Sequence, residues 1–237
     1  MNDDDLARVQ RLWRELTTAG RGFFDNALVY KTTDTHRAAP AGWVAIVRIG
    51  WQVVVAGPDW DLTRIDHNTR HFHPTQLVDP AHLAEFVCPR HTLGPARLYY
   101  GAPTGASPSA TTLGPLPVDD ERVRAVLADA TDEERAECGL EDTTSGVFVS
   151  LADDGSPAAA AAWTVWPQDV AHVCVLAAAT HRGTGAAFAA SHAALIAAVA
   201  VGLLPQWRAA EGNLASIALA ERLGLEYVGE QLSIHLD

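Results

Sequence analysis

The sequence is short of basic charge. Its 237 residues include 17 Lys and Arg residues against 29 Asp and Glu residues, which gives a formal net charge of -12. Lys31 is the only lysine. Nucleic-acid surfaces and anionic membranes attract clustered basic residues, so the composition argues against a nucleic acid or a membrane as partner. A small anionic ligand stays open, because a few arginines and backbone amides are enough to hold one.

Cysteine is scarce as well. Only Cys88, Cys138 and Cys174 occur; they lie far apart, are odd in number and form no CxxC pair. This pattern favours reduced cysteines in a cytoplasmic protein rather than a disulfide framework. The acidic start Met-Asn-Asp-Asp-Asp is not typical of a signal peptide, which supports the same expectation.

Other signals of known chemistry are missing. No Gly-x-Ser-x-Gly motif occurs, so the nucleophile turn of an α/β-hydrolase is not predicted. His67, His71 and His73 are close in sequence, but no predicted helix or strand orients them, and we expect no metal site. The apolar run 185–204 is rich in alanine and lacks basic flanks, so we expect a core helix rather than a membrane span.

What is present is apolar sequence with clear periodicity. Apolar residues make up 48% of the chain, enough for a hydrophobic core. Spacing and turn residues predict, in the first half, a helix at 4–19, adjacent strands at 43–49 and 51–56, a short helix at 79–87 and a strand at 98–100.

The composition changes between Gly101 and Pro117, where four prolines alternate with Gly, Ser and Thr, and this predicts a loop or linker. We place a domain boundary in this segment, between an N-terminal α/β domain at 1–104 and a second domain at 105–237. The second domain has predicted helices at 119–130, 132–138, 185–201 and 213–224, and strands at 146–151, 158–165, 171–178, 205–211 and 226–235.

The predicted order of elements defines the fold class. The first three strands of the second domain follow one another as a meander. The strand–helix–strand unit between 171 and 211 requires a right-handed crossover, so its two strands are expected to be parallel. The chain is therefore predicted to be an α/β protein with a mixed sheet and helices on its faces.

Small residues join the strand at 171–178 to the next helix in the turn Arg182-Gly183-Thr184-Gly185-Ala186-Ala187. The two glycines permit close backbone approach and unusual φ angles. The N–H groups and the dipole at the following helix N-terminus attract an anion such as a phosphate. Taken alone, the pattern also fits a plain tight turn, with Arg182 as a solvated surface residue.

The turn resembles the signature of the GNAT acyltransferase superfamily, Arg/Gln-x-x-Gly-x-Gly/Ala. Downstream, the segment from Asn213 through Ser216 to Gly224-Leu225 resembles the family's Asn-x-x-Ala/Ser…Gly-Phe pattern. The resemblance extends over residues 118–237. Pro205-Gln206-Trp207 is similar to a subgroup related to antibiotic self-resistance acetyltransferases, which carries an extra N-terminal domain. A degenerate second copy of the GNAT fold is therefore one hypothesis for the N-terminal domain.

The resemblance implies acetyl-CoA as co-substrate, without a metal. The amides of the glycine turn would hold the pyrophosphate, and the pantetheine arm would run beside the strand at 173–177. The implied cofactor-binding residues are Cys174, Val175, Leu176, Arg182, Gly183, Thr184, Gly185, Ala186, Ala187, Asn213 and Ser216. From the residues alone, Asn213 is also an ideal helix N-cap with Ser216 at the third helical position, so a structural role is the alternative.

The implied activity is N-acetyl transfer to an amine of a small molecule or peptide, by direct attack on the thioester. A backbone N–H near Val175 would hold the oxyanion. Glu211 and His172 are the candidate general bases; the alternatives are a solvated carboxylate and a strand-end surface residue. The acidic chain favours a cationic amine.

The sequence departs from the family at Ala220, where many members have a Tyr that protonates the leaving thiolate. Water, Ser216 or Tyr227 could supply that proton, and a thiol of pKa about 8.5 also leaves tolerably as thiolate. The departure favours a rival hypothesis, a non-catalytic GNAT-like module that binds acyl-CoA as a sensor or scaffold. The oligomeric state is open, with a homodimer as one alternative.

Overall fold

The computed structural model describes residues 1–20, 28–69, 71–105 and 107–236. These residues form a mixed α/β structure, as predicted. The helices are α1 (Asp3–Leu16), α2 (Asp59–Thr69), α3 (Pro80–Val87), α4 (Glu121–Ala128), α5 (Asp132–Cys138), α6 (Ala186–Ala200) and α7 (Leu214–Arg222). The strands are β1 (Leu28–Thr32), β2 (Val44–Ile49), β3 (Gln52–Gly57), β4 (His91–Tyr100), β5 (Thr112–Leu116), β6 (Val147–Leu151), β7 (Pro157–Trp166), β8 (Val170–Ala177), β9 (Leu204–Ala210) and β10 (Glu226–His235).

The chain divides into two compact units. Unit 1 comprises Met1–Tyr99, Ala209–Ile217 and Tyr227–Asp237, and unit 2 comprises Tyr100–Arg208 and Ala218–Glu226. The division of the sequence at residue 104 stays a prediction.

In unit 1, neighbouring strands follow the order β1-β3-β2-β10-β4. β2 and β3 are adjacent, as predicted, and they are antiparallel; β1 is parallel to β3, and β10 is antiparallel to β2. β2 and β3 are buried along nearly their whole length, which explains their continuous apolar sequences. The core between the strands and α2 and α3 is built from aliphatic side chains such as Ile46, Val55 and Leu83.

Two elements of unit 1 are absent from the sequence prediction. α2 has a weak apolar stripe, with Leu62 and Ile65 as its buried aliphatic residues, and it is held by packing on α3, β1 and β3. His67 therefore lies on a helix, contrary to our expectation for its segment. β1 has only five residues, all partly buried or exposed, and its strand form depends on pairing with β3. Local sequence carries little signal where a distant partner supplies the stability.

In unit 2, neighbouring strands follow the order β9-β8-β7-β6-β5. The predicted meander of β6, β7 and β8 is confirmed, and β8 and β9 are parallel, as the crossover required. β5 is a correction, because it lies in the segment that we predicted to be a loop. It is the last strand in this order, where the missing N–H of Pro115 is tolerated.

α6 packs on β6, β7 and β8. β7 presents five consecutive, fully buried alanines, Ala158 to Ala162, and these small side chains allow close approach of the helix. The Ser150 hydroxyl on β6 donates a 2.9 Å hydrogen bond to the Ala186 carbonyl, which anchors the first turn of α6. α6 has 15 residues, and among the described residues no helix is long and apolar enough to cross a membrane.

Candidate active site

β8 and β9 separate soon after they begin. Pairing joins Val170, Ala171 and His172 to Leu204, Pro205 and Gln206, although β8 continues to Ala177. On its other edge β8 remains paired with β7 up to Ala177 and Ala159. The edge of residues 173–177 that faces away from β7 therefore carries backbone groups that β9 does not satisfy. Such an edge can bind an extended polar ligand as a further strand would.

The predicted glycine turn lies directly after this edge. Gly183 and Gly185 have φ angles of +78° and +93°, in the left-handed region that favours glycine. A Cβ at either position would meet no atom within 4 Å, so backbone conformation rather than crowding within the protein demands glycine here. Gly185 begins α6 without a side-chain cap, which leaves the first N–H groups of the helix to a ligand or solvent.

Arg182 of this turn forms an ion pair with an acidic side chain. Its guanidinium donates a 2.6 Å hydrogen bond to Glu134 of α5. The backbone N–H of Thr131 and the Arg182 side chain, in that order, hold the pKa of Glu134 below its usual range. A second carboxylate, Asp129, accepts a 3.3 Å hydrogen bond from the Thr180 N–H. Two acids therefore reduce the positive potential around the turn, and their distance from it along the chain gave no sequence signal of this effect.

His172 lies at the point where β8 and β9 part. Its Nδ1 is 2.9 Å from Gln206 Oε1, and the Gln206 amide nitrogen donates a 3.0 Å hydrogen bond to the Tyr100 hydroxyl. Gln206 and Tyr100 are both 0% exposed. Because the Gln206 oxygen faces the ring, Nδ1 carries the proton and Nε2 is the basic nitrogen of the neutral ring.

The surroundings of His172 keep its ring neutral. The ring stacks on Trp166 with centroids 4.2 Å apart, and the Arg208 guanidinium lies 6.0 Å from the centroid of the same Trp ring. Burial first, and the Arg208 charge second, lower the pKa of His172 to about 4. Gln206, Tyr100, Trp166 and Arg208 were not singled out for this role, because sequence spacing does not show which side chains meet across parallel strands.

The predicted oxyanion donor, the backbone N–H near Val175, lies beside a cysteine. The Cys174 thiol, followed by the N–H groups of Leu140 and Val175, lowers the pKa of the Cys138 thiol at the end of α5. Leu176, the third predicted residue on this strand, is buried in the core under α4. Cys138 lies 36 positions before Cys174 in the chain, so sequence spacing did not indicate an effect of one cysteine on the other.

The remaining predicted site residues belong to unit 1. Asn213 Oδ1 accepts a 3.1 Å hydrogen bond from the Ser216 N–H. Asn213 therefore caps the N-terminus of α7, which is the structural role given above as the alternative to cofactor binding. Glu211 Oε1 lies 3.8 Å from Arg97 Nη2, and both side chains are exposed. Within unit 2 the structure brings together His172, the β8 edge and the glycine turn; within unit 1 it places Glu211, Asn213 and Ser216 on one short segment.

The alternative proton donors differ in their availability. The Tyr227 hydroxyl donates to Glu230 Oε1 at 2.6 Å and accepts a hydrogen bond from Arg48. Burial, followed by the bond to Glu230, raises the pKa of Tyr227 to about 12, which makes it a weak acid. Ala220 is 0% exposed and offers no donor group. Within the described ranges, no group of three His, Cys, Asp or Glu side chains is arranged to hold a metal ion.

The chain is similar to known proteins in sequence and in structure. Residues 143–231 match the family model for GNAT acetyltransferases. The chain is similar to a putative GNAT acetyltransferase from Novosphingobium aromaticivorans, with 18% identity, a TM-score of 0.45, and 63% of this chain and 67% of that chain covered. A GCN5-related N-acetyltransferase-like protein from Streptococcus suis is 16% identical, with a TM-score of 0.45 over 96% of this chain and 98% of that one.

A tandem GNAT protein from the clavulanic acid biosynthesis pathway is 14% identical, with a TM-score of 0.45 over 98% of this chain and 95% of that one. No curated protein matches the sequence. The family match identifies residues 143–231 as a GNAT acetyltransferase domain.

Proposed function

We propose that the chain is an acyl-CoA-dependent N-acetyltransferase that moves an acetyl group to an amine of a small molecule or peptide-like substrate. The observation that carries the proposal is the unpaired edge of β8 followed directly by a glycine turn at the start of α6. This combination offers hydrogen bonds to an extended amide-bearing chain and, beyond it, N–H groups to a pyrophosphate.

The residues of unit 2 fit coenzyme A. Residues 173–177 would pair with the pantetheine arm through backbone groups on their open edge. The amides from Gly183 to Ala187 would hold the pyrophosphate, and the empty space at both glycine Cβ positions leaves room for it. Arg182 would share its charge between the phosphate and Glu134. When bound, the cofactor supplies the acetyl thioester.

We assign the task of accepting the amine proton to His172. Its Nδ1 is held by Gln206, so Nε2 is the nitrogen with a lone pair, and the low pKa keeps the ring neutral throughout the neutral pH range. A neutral ring accepts a proton only weakly at such a pKa, which predicts modest general-base catalysis. Glu211 is the alternative base, although its carboxylate is exposed and lies near Arg97.

The acceptor is proposed to be a cationic amine. The chain has a formal net charge of -12, so long-range attraction raises the local concentration of cations. The leaving thiolate would take its proton from water. Ala220 has no hydroxyl, and the Tyr227 hydroxyl already donates its proton in a hydrogen bond to Glu230.

The buried Ala220 favours one rival, a GNAT-like module that binds acyl-CoA without turnover. Thermal unfolding with acetyl-CoA, followed by thiol release with a panel of primary amines, separates the two. We expect stabilisation and amine-dependent thiol release. Stabilisation without release on any amine would support the module, and no stabilisation at millimolar acetyl-CoA would contradict both.

A further inference from the structure

Several side chains of unit 2 share one face of its sheet at the point where β8 and β9 part. His172 pairs in register with Thr164 of β7 and with Gln206 of β9. Residues two apart on a strand lie on the same face, so Trp166 of β7 and Arg208 of β9 belong to this group. Arg208 is the second residue after the last ladder pair, and it therefore lies where the gap between the two strands opens.

The indole of Trp166 brings a cation and the proposed base together. Its ring stacks on His172 with centroids 4.2 Å apart and an angle of 21° between the planes. The Arg208 guanidinium carbon lies over the same ring, 6.0 Å from its centroid, at the range of a cation–π contact. Trp166 and His172 are half-buried and Arg208 is exposed, so a small molecule in solution can reach the guanidinium.

We propose that Arg208 binds a carboxylate of the acceptor, so that the acceptor is an α-amino acid or a similar amine with a nearby carboxylate. The inference rests on the proposed acetyl transfer and names its substrate class. A guanidinium has five N–H donors in a planar fork that matches the two carboxylate oxygens, so Arg208 can bind one alongside its contacts within the protein. With a hydrogen bond at each end, an α-amino acid spans about 9 Å, and the shared contact with one indole keeps the imidazole and the guanidinium within a comparable distance.

The charge of the chain and the charge of Arg208 act on opposite ends of such an acceptor. A formal net charge of -12 attracts the ammonium group at long range but repels a carboxylate. A carboxylate therefore needs a cation at close range, and Arg208 supplies one against the same ring as His172. A diamine would instead place its second ammonium group near a guanidinium, which weakens binding. Arg208 thus narrows the proposed cationic amine to one that also carries a carboxylate.

The test compares α-amino acids with their own carboxamides, which keep the amine and the side chain but lack the carboxylate charge. Thiol release from acetyl-CoA gives kcat/KM for each acceptor. We expect the acids to exceed the amides by about tenfold or more in the wild type, and Arg208→Gln to lower the values for the acids by about 10- to 100-fold. Because each acceptor is compared with itself in the two proteins, the difference in amine basicity cancels. The matched control is Arg124→Gln, which removes the same charge from an exposed side chain of α4 and should retain the preference.

Calorimetric titration of the same acids and amides into protein saturated with coenzyme A measures recognition without turnover. Thiol release that does not distinguish acids from amides, or a preference that survives in Arg208→Gln, would overturn the inference and leave the proposed acetyl transfer in place. Tighter binding of acids that depends on Arg208, without thiol release for any amine, would support the carboxylate site and contradict the acetyl transfer. Equal binding of acids and amides without any thiol release would contradict both.

Discussion

His172 Nδ1 lies 2.9 Å from Gln206 Oε1, and these two residues form the last pair of the parallel ladder between β8 and β9. The hydrogen bond therefore closes the paired part of the two strands at the point where the open edge begins. The side-chain amide of Gln206 also donates a hydrogen bond to the buried hydroxyl of Tyr100. The same contact fixes the tautomer of the proposed base.

The neutral ring of His172 predicts a loss of stability in acid. Its pKa is about 4 in the folded chain, below the ordinary value of 6.5. Above pH 6.5 both folded and unfolded states hold a neutral ring, so there is no contribution. As the pH falls towards 4, only the unfolded state takes up the proton, which lowers the free energy of unfolding by on the order of 3 kcal/mol at most.

Urea unfolding at about pH 7 and pH 4.5 measures this effect. In His172→Gln the uncharged amide can still donate to Gln206, and the decrease between the two pH values should be smaller than in the wild type. Equal decreases in both proteins would contradict the assignment of a neutral ring to His172.

His172, Gln206 and Tyr100 are linked by hydrogen bonds, so mutations at these positions are predicted to have non-additive effects on stability. Gln206→Leu removes the hydrogen bonds that Gln206 makes with the Tyr100 hydroxyl and the ring N–H of His172, and it should cost about 2 kcal/mol of stability. Tyr100→Phe should cost about 1 kcal/mol in the wild type and much less when Gln206 is already Leu. The measurement is a double-mutant cycle by urea unfolding; strictly additive costs would show that Gln206 and Tyr100 are not coupled and would contradict the prediction.

The glycine turn predicts a position-specific loss of binding. Gly185→Asp places a carboxylate where the pyrophosphate is proposed to lie, and acetyl-CoA binding should fall by more than 100-fold. The matched control is Gly202→Asp beyond the other end of α6, because Gly202 also has positive φ, +84°, and an open Cβ position. Each substitution should cost roughly 1–2 kcal/mol of stability. Calorimetric titration should find near wild-type affinity in the control; equal losses in both variants would point to strain rather than charge.

The ion pair between Arg182 and Glu134 predicts that removing an acid improves binding. Glu134→Gln keeps a side chain that can cap α5 but releases the Arg182 charge to the phosphate, which should raise acetyl-CoA affinity about two- to fivefold. Glu133→Gln removes the same charge from the neighbouring position and should change affinity little. The difference between the two variants should shrink at high salt. Equal effects of both variants would mean that net charge alone matters.

Sequence reasoning found those parts of the site that depend on local chain conformation. Gly183 and Gly185 were identifiable because positive φ selects glycine, and Asn213 because helix N-termini select short polar side chains. The strands around them were also predicted, since their apolar runs are long.

The parts that sequence reasoning missed depend on contacts between distant residues. Gln206 and Tyr100 lie 106 positions apart, and no sequence periodicity predicts their hydrogen bond. The pairing of Arg182 with Glu134 over 48 positions has the same origin. β5 was not predicted because its proline and glycine are typical of a loop. Antiparallel pairing with β6 nevertheless holds this segment in a strand.

Hydrogen–deuterium exchange with and without saturating acetyl-CoA tests the central claim most directly. We expect slower exchange at two segments, with β2 and β3 unchanged. The segments are the amides of 173–177 that are not hydrogen-bonded to β7 and the amides of Gly183 to Ala187. No protection of either segment at millimolar acetyl-CoA would contradict the proposal that unit 2 holds the cofactor on β8 and the glycine turn.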